Sequence, residues 1–421
     1  MLKRQAYFDN ASTTPLDRRV LKAMMPFLKE DYGNPSNLYE TGRTAKKAIT
    51  HASEQIAEAL HCRPDEFIFT GSATEADNLA LAGAARANKD RGNRIIVSAI
   101  EHKGILAVCE ALKKEGFEVI QVPVGKNGMI DLDILKKELN DKTIMVSVTM
   151  ADSETGTLQP IKEIAEIIRG MTSYSLLHTP YFHTDASQAA AYADINVEKL
   201  GVDMMTLSAH KLRGPKGIGG LFVRHGVKLN PIIYGGGQQG RLRSGTENVP
   251  AIVGFGLAVE LNEAYKKKGA AKMAKLRDAL QRGIFKSIDK VVLNGHPNKR
   301  LPNFLNISIL DIEGESLLLE LDEHGIMINT GSACNSESLE PSYVLTALGN
   351  PYEFVHGSIR FTLGAETTMA DVNHVLKYLP KIVERLRSIS PLDLSTDQKK
   401  TMSDPKAFIS NQTPHFLRKK K

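Results

Sequence analysis

The feature that most constrains the fold is a regular alternation of β-branched segments and amphipathic helical segments between residues 94 and 224. Helical patterns cover 132–140 and 160–171, the second of which has Pro160 at its start, a position that suits proline. Such alternation predicts a mostly parallel sheet covered by helices on both faces, with ligands bound at the carboxyl ends of the strands. The predicted strands are 94–100, 118–124, 143–149, 181–185, 204–208 and 219–224.

The pattern changes after residue 250, and this indicates a second, α+β domain. A long helical region over 250–286 is followed by further segments, which are a strand at 303–310, a helix at 315–323, a Gly/Ser-rich loop, a strand at 358–363 and a helix at 368–389. Beyond residue 390 the chain is polar and unpatterned, as expected of a mobile tail. With 421 residues, the chain is long enough for one large core and a second, smaller one.

These patterns divide the chain into four parts. We expect an N-terminal segment that packs with the small domain (1–15), a large ligand-binding domain (16–255), a small C-terminal domain (256–390) and a flexible basic tail (391–421).

Cysteine usage and charge exclude several classes of protein. Three cysteines without a CxxC pair or a Cys/His cluster argue against a disulfide-stapled module and a structural zinc site, and favour a reducing compartment. The sequence has no export signal and no apolar run of about 18 residues, so we expect a soluble, cytoplasmic protein. The net charge of +6 owes much to five basic residues among the last sixteen, which disfavours a nucleic-acid binder.

A lysine and an aspartate follow two of the predicted strands. Asp185 closes one strand, and Lys211 of SAHKLRGPKGIGG comes 26 residues later, directly after another. Alone, Lys211 is an ordinary turn lysine and Asp185 an ordinary cap. Together they fit pyridoxal phosphate (PLP), because a neutral buried lysine forms a Schiff base and a carboxylate keeps the pyridine nitrogen protonated.

The segment FTGSATEADN offers a site for a phosphate group. Gly71, Ser72, Ala73 and Thr74 lie at a predicted strand-to-helix junction, where N–H groups and the helix dipole favour an anion. The spacing of Ser72 and Glu75 also fits an ordinary capping box, and both interpretations can hold together. The segment lacks GKS or GKT, so a nucleotide P-loop is not expected.

Over residues 5 to 390 the chain resembles the NifS/IscS-type cysteine desulfurases of the class V aminotransferase group. The resemblance implies PLP fold type I, with a mostly parallel seven-stranded sheet in a large domain and a smaller α+β domain. It rests on ten ordered motifs, YFDNASTTPLD, YGNPSN, FTGSATEADN, EHKGIL, ETGTLQPI, HTDASQ, LSAHKLRGPKGIGG, RSGTEN, GSACNSESLEPSYVL and HGSIRFTLG.

The same resemblance implies the cofactor contacts. Lys211 would carry PLP as a Schiff base, Asp185 would meet the pyridine nitrogen, and His102 would stack on the ring and act in proton transfer. The implied contacts to the phosphate are Ala73, Thr74, Ser208, His210 and, from the neighbouring subunit of a homodimer, Thr246, while Gln188 and Ser153 would approach the phenolic oxygen.

Substrate recognition and sulfur transfer are also implied. Arg360 would bind the α-carboxylate of L-cysteine with help from Asn34. Cys334, in a loop of small polar residues, would take the sulfur as a persulfide and release alanine, whereas Cys62 and Cys109 are expected to be buried structural thiols. The persulfide would serve a sulfur-acceptor protein in iron–sulfur cluster assembly or tRNA thiolation.

Three departures from the family pattern keep alternatives open. Asp152 and Ser153 replace an Asn-Asn pair, Ala365 replaces an arginine, and the usual histidine is missing near Tyr39. A selenocysteine lyase or another class V aminotransferase is one alternative, and a catalytically weakened sulfur-transfer scaffold is the other.

Overall fold

The computed structural model describes residues 4–174, 178–330 and 341–390. Cys334 and the predicted C-terminal tail lie outside the described residues. The strands are β1 Ala6–Tyr7, β2 Phe67–Thr70, β3 Arg94–Ser98, β4 Glu118–Val122, β5 Thr143–Ser147, β6 Tyr181–Asp185, β7 Met204–Ser208, β8 Gly219–Val223, β9 Val291–Leu293, β10 Phe304–Ile309, β11 Ile326–Met327 and β12 Ser358–Thr362. The helices are α1 Arg18–Lys29, α2 Glu40–Leu60, α3 Ala73–Asn78, α4 Ala84–Ala87, α5 Lys103–Lys114, α6 Leu132–Glu138, α7 Ile161–Tyr174, α8 Val197–Leu200, α9 Val249–Ser287, α10 Gly314–Glu323, α11 Tyr343–Ala347, α12 Tyr352–His356 and α13 Met369–Ile389.

A seven-stranded sheet dominates the larger part of the molecule. Its order is β2-β8-β7-β6-β5-β3-β4, and the five strands from β7 to β4 are parallel. β8 runs antiparallel to both β2 and β7. The prediction of a mostly parallel seven-stranded sheet is therefore confirmed.

Helices cover both faces of this sheet, because alternate strand residues point to opposite sides and both sides are apolar. Ile96 packs with residues of α2, α7 and α9, whereas its neighbour Ile95 packs with residues of α3, α4 and α5. A π-helical turn over Leu79–Gly83 joins α3 to α4, so the helical backbone is continuous from Ala73 to Ala87.

A second core forms around the antiparallel sheet β12-β10-β9 and the helices α10 and α13. The N-terminal segment joins this core. Its strand β1 pairs in parallel with β11, and the Phe8 and Phe361 rings pack edge to face with their centroids 5.8 Å apart. The 39-residue helix α9 serves both cores, with Phe255 in the first and Met273 in the second. Among the described helices, none has the length and apolar character needed to cross a membrane.

Candidate active site

A cavity of about 570 Å³ opens at the carboxyl edge of the large sheet and faces the second core. The sheet side contributes the strand ends and the turns that follow them, and the second core contributes β12 and the segment after β11. Predicted site residues that line the cavity are Ala73, Thr74, His102, Ser153, Asp185, Gln188, Ser208, His210, Lys211 and Arg360.

Lys211 ends a short 3₁₀ turn, Ala209–Lys211, directly after β7. Its Nζ donates hydrogen bonds to the carbonyl oxygens of Ser12, at 3.0 Å, and of Ala11. The turn is so tight that a Cβ at Gly214 would come within 2.8 Å of the Ala209 carbonyl oxygen, which explains the glycine. The amine is thus fixed at the boundary between the sheet and the N-terminal segment.

Asp185, the last residue of β6, is buried at the floor of the cavity. Its Oδ1 accepts a hydrogen bond from the Ser187 N–H at 2.8 Å. The Ser187 hydroxyl is also buried and has no hydrogen-bond partner among the described residues. Gln188 Nε2 donates to the Ala11 carbonyl at 3.0 Å, so this loop and the Lys211 amine meet at the same backbone segment.

The junction between β2 and α3 forms another part of the wall. Ser72 caps α3 by accepting the Glu75 N–H at 3.1 Å, and Glu75 Oε2 accepts the Gly71 N–H at 2.8 Å. A Cβ at Gly219 would lie 2.5 Å from the Ser72 carbonyl carbon, so β8 can approach this turn only with a glycine. The expected helix cap is present, and Ala73 and Thr74 still face the cavity.

Two histidines line the cavity in different environments. Burial, with the nearby Lys211 and Lys216, lowers the pKa of His210 to about 4, so this imidazole is neutral at neutral pH. Its Nδ1 lies 3.1 Å from Thr13 Oγ1. His102 caps α5, where its Nδ1 accepts the Gly104 N–H at 3.1 Å and the ring remains exposed at the cavity.

Arg360 lies in β12 on the side of the cavity opposite the sheet. Its Nη1 donates to the Ser153 carbonyl at 2.7 Å, and its Nη2 donates to Asp9 Oδ1 at 2.7 Å and Ser12 Oγ at 3.1 Å. The buried Nε has no hydrogen-bond partner within the described ranges. A buried guanidinium with an uncommitted N–H is suited to an anionic ligand.

Glu154, a cavity residue that the sequence reasoning missed, is fully buried. Burial raises its pKa to about 7, although a hydrogen bond from the Ser342 hydroxyl acts in the opposite direction. Asp77, Ser12 and Thr13 also line the cavity and were missed. They lie inside two motifs already quoted, FTGSATEADN and YFDNASTTPLD, but a polar residue inside a motif carries no separate signal of its own.

Two predicted site residues do not line the cavity, and a third lies outside the described residues. Asn34 is exposed, and its Oδ1 accepts the Ser36 N–H at 2.9 Å. Thr246 is exposed in the loop before α9. Cys334 belongs to residues 331–340, which the structure does not describe.

The two cysteines predicted to be structural are protonated thiols at neutral pH. Burial is the main cause that raises the pKa of both Cys62 and Cys109 to about 12. Cys109 is inaccessible and Cys62 is partly exposed. Neither thiol has the low pKa that favours a nucleophile.

Comparisons with known proteins agree with this geometry. A model of the class-V aminotransferase family matches residues 6–375. Cysteine desulfurase IscS of Methanosarcina thermophila is 49% identical over 386 residues, which are 92% of this chain and 94% of that protein. The protein of the same name from Dictyoglomus turgidum is 47% identical over 390 residues, or 93% and 97% of the two chains.

A solved structure described as a NifS-like protein superposes with a TM-score of 0.85 at 35% identity, covering 91% of this chain and all of that one. The two proteins therefore share their fold over both cores of this chain. The chain belongs to the class-V aminotransferase family, a group of enzymes that depend on pyridoxal phosphate.

Proposed function

We propose that the protein is a cysteine desulfurase, which converts L-cysteine to L-alanine and transfers the sulfur to a cysteine of the enzyme as a persulfide. One observation carries the proposal. Lys211 and Asp185 share a cavity with a buried guanidinium, Arg360, on the opposite wall. The names of the relatives that are 47–49% identical support the same activity.

The polar groups of the cavity fit PLP. Lys211 provides an amine for a Schiff base, and Asp185 provides a carboxylate for the ring nitrogen. The buried Ser187 hydroxyl has no hydrogen-bond partner among the described residues, so it can donate to a polar ligand in the cavity. The residues that would hold the phosphate are Ala73, Thr74, Ser208 and the neutral His210, and those near the phenolic oxygen are Gln188 and Ser153.

When bound, PLP supplies an electron sink that stabilises negative charge developing at the substrate Cα. Lys211 would have two roles: its Nζ would hold the cofactor and, when the amine is free, would take the Cα proton of the substrate. His102, exposed at the cavity, is placed to stack on the ring and to hold or return a proton.

Arg360 orients the substrate through its α-carboxylate. The guanidinium is held by Asp9 and by the Ser153 carbonyl, so it is already positioned when substrate arrives. Such preorganisation reduces the entropic part of the barrier, because the Cα–H and Cβ–S bonds are then oriented relative to the ring. We assign Asn34 an auxiliary role in substrate binding. Because Asn34 is exposed and does not line the cavity of its own chain, it would take this role only in the assembled homodimer.

Cys334 is the proposed sulfur acceptor. Its thiolate attacks the substrate sulfur, so the Cβ–S bond breaks, an S–S bond forms, and alanine leaves after protonation. Cys334 follows Thr330 by four residues in the sequence, and Thr330 lines the cavity. The raised pKa values of Cys62 and Cys109 make these thiols poor competitors for the role.

The test is incubation with L-cysteine and a reductant, with alanine and sulfide measured together. Cys334→Ser should keep the visible PLP band but lose alanine formation by at least about 10³-fold, since a hydroxyl cannot accept sulfur as a persulfide. Cys62→Ser is the matched control and should retain turnover. After a brief exposure to substrate, mass spectrometry of the wild type should find the persulfide on Cys334.

Two results would contradict the proposal. Alanine release by Cys334→Ser at the wild-type rate, or a persulfide on Cys62 or Cys109, would exclude the sulfur-transfer step proposed here. Turnover with selenocysteine alone, or amino transfer to an oxo acid, would instead indicate a selenocysteine lyase or an aminotransferase. Absence of a PLP band would favour a sulfur-transfer scaffold without activity.

We further propose a homodimer in which Thr246 reaches the cofactor phosphate of the neighbouring subunit. Its exposure, away from the cavity of its own chain, supports this role. Light scattering of Thr246→Ala, beside a PLP titration of the apoenzyme, separates an effect on assembly from an effect on cofactor affinity.

Several further assignments remain proposals. The domain division is 1–15, 16–255, 256–390 and 391–421, and its second boundary falls within the continuous helix α9. We place the protein in the cytoplasm. The persulfide would pass to an acceptor protein for iron–sulfur cluster assembly or tRNA thiolation, which a pull-down with persulfide-loaded enzyme tests.

A further inference from the structure

Polar side chains cross the large sheet beneath Asp185. His183 precedes Asp185 by two residues in β6, so both side chains lie on the same face of the sheet. The strand register places Ser147 of β5 opposite His183 and Thr206 of β7 opposite Asp185. The four side chains therefore share one face, and Asp77 of α3 covers it.

Ser147, His183 and Thr206 form a continuous hydrogen-bonded bridge, and Asp185 lies beside it on the same face. Ser147 Oγ lies 2.9 Å from His183 Nδ1, and His183 Nε2 lies 3.0 Å from Thr206 Oγ1. Thr206 also hydrogen-bonds the Asp77 carboxyl group, whose Oδ1 is 3.8 Å from His183 Nε2. All three bridge residues, Ser147, His183 and Thr206, have no solvent exposure.

The direction of hydrogen-bond donation along the bridge depends on which ring nitrogen of His183 carries the proton. Burial lowers the pKa of His183 to about 4, so its ring is neutral and carries one N–H at neutral pH. If the Thr206 hydroxyl donates to Asp77, it accepts from His183 Nε2. The bare Nδ1 then accepts from Ser147. In that arrangement Ser147, His183 and Thr206 each donate to an acceptor, as burial demands, while Asp77 Oδ1 has no hydrogen-bond partner among the described residues.

Two further carboxyl groups interact electrostatically with Asp185 near the bridge. Asp77 faces it from α3 and Glu101 from the segment after β3. Burial raises the pKa of Asp77 well above its ordinary value and that of Glu101 to about 8, so Glu101 is largely neutral at neutral pH. The neutral His183 adds no positive charge, and the Lys211 amine is held by the N-terminal segment.

We propose that His183 and Thr206, with Ser147, are positioning residues that fix the Asp185 carboxylate towards the ring nitrogen of PLP. The inference rests on the proposed function, which places that nitrogen at Asp185. Thr206 lies across the β6–β7 pair from Asp185, and its carbonyl also accepts the Ala186 N–H at 3.0 Å, so the bridge and the turn after Asp185 share one anchor.

Loss of the bridge should be visible in the cofactor spectrum. A well-placed carboxylate keeps the ring nitrogen protonated, and the resulting electron withdrawal lowers the pKa of the Schiff base to Lys211. With the bridge broken, Asp185 is less well oriented and the ring nitrogen is less often protonated. The pH midpoint of the visible band should then rise by about one unit.

The experiment is a pH titration of the visible band in holoenzyme. Thr206→Val keeps the shape of the side chain and removes the hydroxyl, whereas His183→Gln keeps a donor and an acceptor and should recover most of the wild-type midpoint. Thr184→Val is the matched control, because Thr184 is equally buried in β6 but lies on the opposite face and bonds the Val148 carbonyl. Asp185→Asn provides the reference shift.

The pH midpoint should shift upward in Thr206→Val and Asp185→Asn and change little in Thr184→Val. In Thr206→Val, kcat should fall while KM for cysteine stays unchanged. Equal midpoints in Thr206→Val and wild type, with Asp185→Asn shifted, would overturn this inference alone. A wild-type spectrum without a titrating PLP band, or an unshifted Asp185→Asn, would overturn the cofactor assignment as well. Equal shifts in Thr206→Val and Thr184→Val would show a general effect of core damage and also overturn it.

Discussion

The two sides of the active-site cavity differ in the chemical groups that they present to a ligand. The side formed by the large sheet presents strand ends and main-chain groups beside Asp185 and Lys211, with His210 uncharged through burial. The side formed by the second core presents a permanent cation, Arg360, in contact with Asp9. The sheet side suits a ligand that stays bound, and the other side suits an anionic ligand that comes and goes.

The energetics of Arg360 support this contrast. Its contact with Asp9 is nearly buried, and a buried ion pair adds little net stability because desolvation offsets the attraction. An apolar pair of similar volume would serve packing as well. A guanidinium at this position is therefore explained better by ligand binding than by folding.

The largest predicted effect comes from removing the amine on the sheet side. Lys211→Ala should abolish covalent PLP binding and lower turnover by at least about 10³-fold, because one amine serves both the Schiff base and the Cα proton. Absorbance spectra after borohydride reduction, with an alanine assay, measure both losses. Lys216→Ala, another lysine that lines the cavity, is the control and should retain the reduced adduct. An intact adduct and activity in Lys211→Ala would transfer the role to another lysine.

A smaller effect is expected on the other side of the cavity. Arg360→Ala should lower kcat/KM for cysteine by about 10²-fold, mostly through KM, because the carboxylate contact is present in ground and transition states alike. PLP affinity should change little, which distinguishes the two sides. Steady-state kinetics and a PLP titration of the apoenzyme provide the two readouts.

Arg4→Ala is the control for Arg360→Ala. Arg4 forms a partly exposed ion pair with Asp371 of α13, at the surface of the same part of the molecule. Arg4→Ala should leave KM unchanged. If Arg360→Ala binds cysteine as well as wild type does, or loses PLP as completely as Lys211→Ala, the division of labour between the two sides is wrong.

Glu101 tests whether the sheet side is stabilised by neutral acids. Its pKa is raised from 4.5 to about 8, chiefly by burial, so wild-type apoprotein should be most stable below pH 4.5 with respect to this group and lose that contribution as pH rises towards 8. Glu101→Gln should remove a slope of about 1.4 kcal/mol per pH unit between these two values. Urea denaturation across the pH range measures it, and an unchanged slope would show that Glu101 is charged in the folded protein.

Most of the fold was predictable because periodicity reports burial. The strands at 181–185 and 204–208 were predicted with their observed bounds. Other strands of the large sheet end one or two residues before their predicted ends, because buried residues such as Ile100 and Val148 continue the apolar pattern after the ladder ends. The parallel sheet followed from the alternation of elements. The pairing of β1 with β11 did not, because two-residue strands carry no periodicity.

The candidate site was predictable where a residue ends a strand. Lys211 and Asp185 were singled out for that reason, and both line the cavity. Glu154 and Asp77 were missed, because their burial depends on contacts between elements distant in sequence, such as Ser342 with Glu154. The raised pKa values of these carboxyl groups likewise arise only in the folded protein.

The smallest predicted effect concerns Ser153, which touches both sides. Its carbonyl accepts Arg360 Nη1 at 2.7 Å, while its side chain lines the cavity. Ser153→Asn retains the carbonyl and supplies a longer amide donor to the region assigned to the phenolic oxygen, so PLP affinity should rise about 3- to 10-fold, as for one added hydrogen bond, with KM for cysteine unchanged. Fluorescence titration of apoenzyme with PLP measures the change, and Ser36→Asn, on an exposed turn, is the control. A raised KM without tighter PLP binding would show that Ser153 belongs functionally to the substrate side of the cavity.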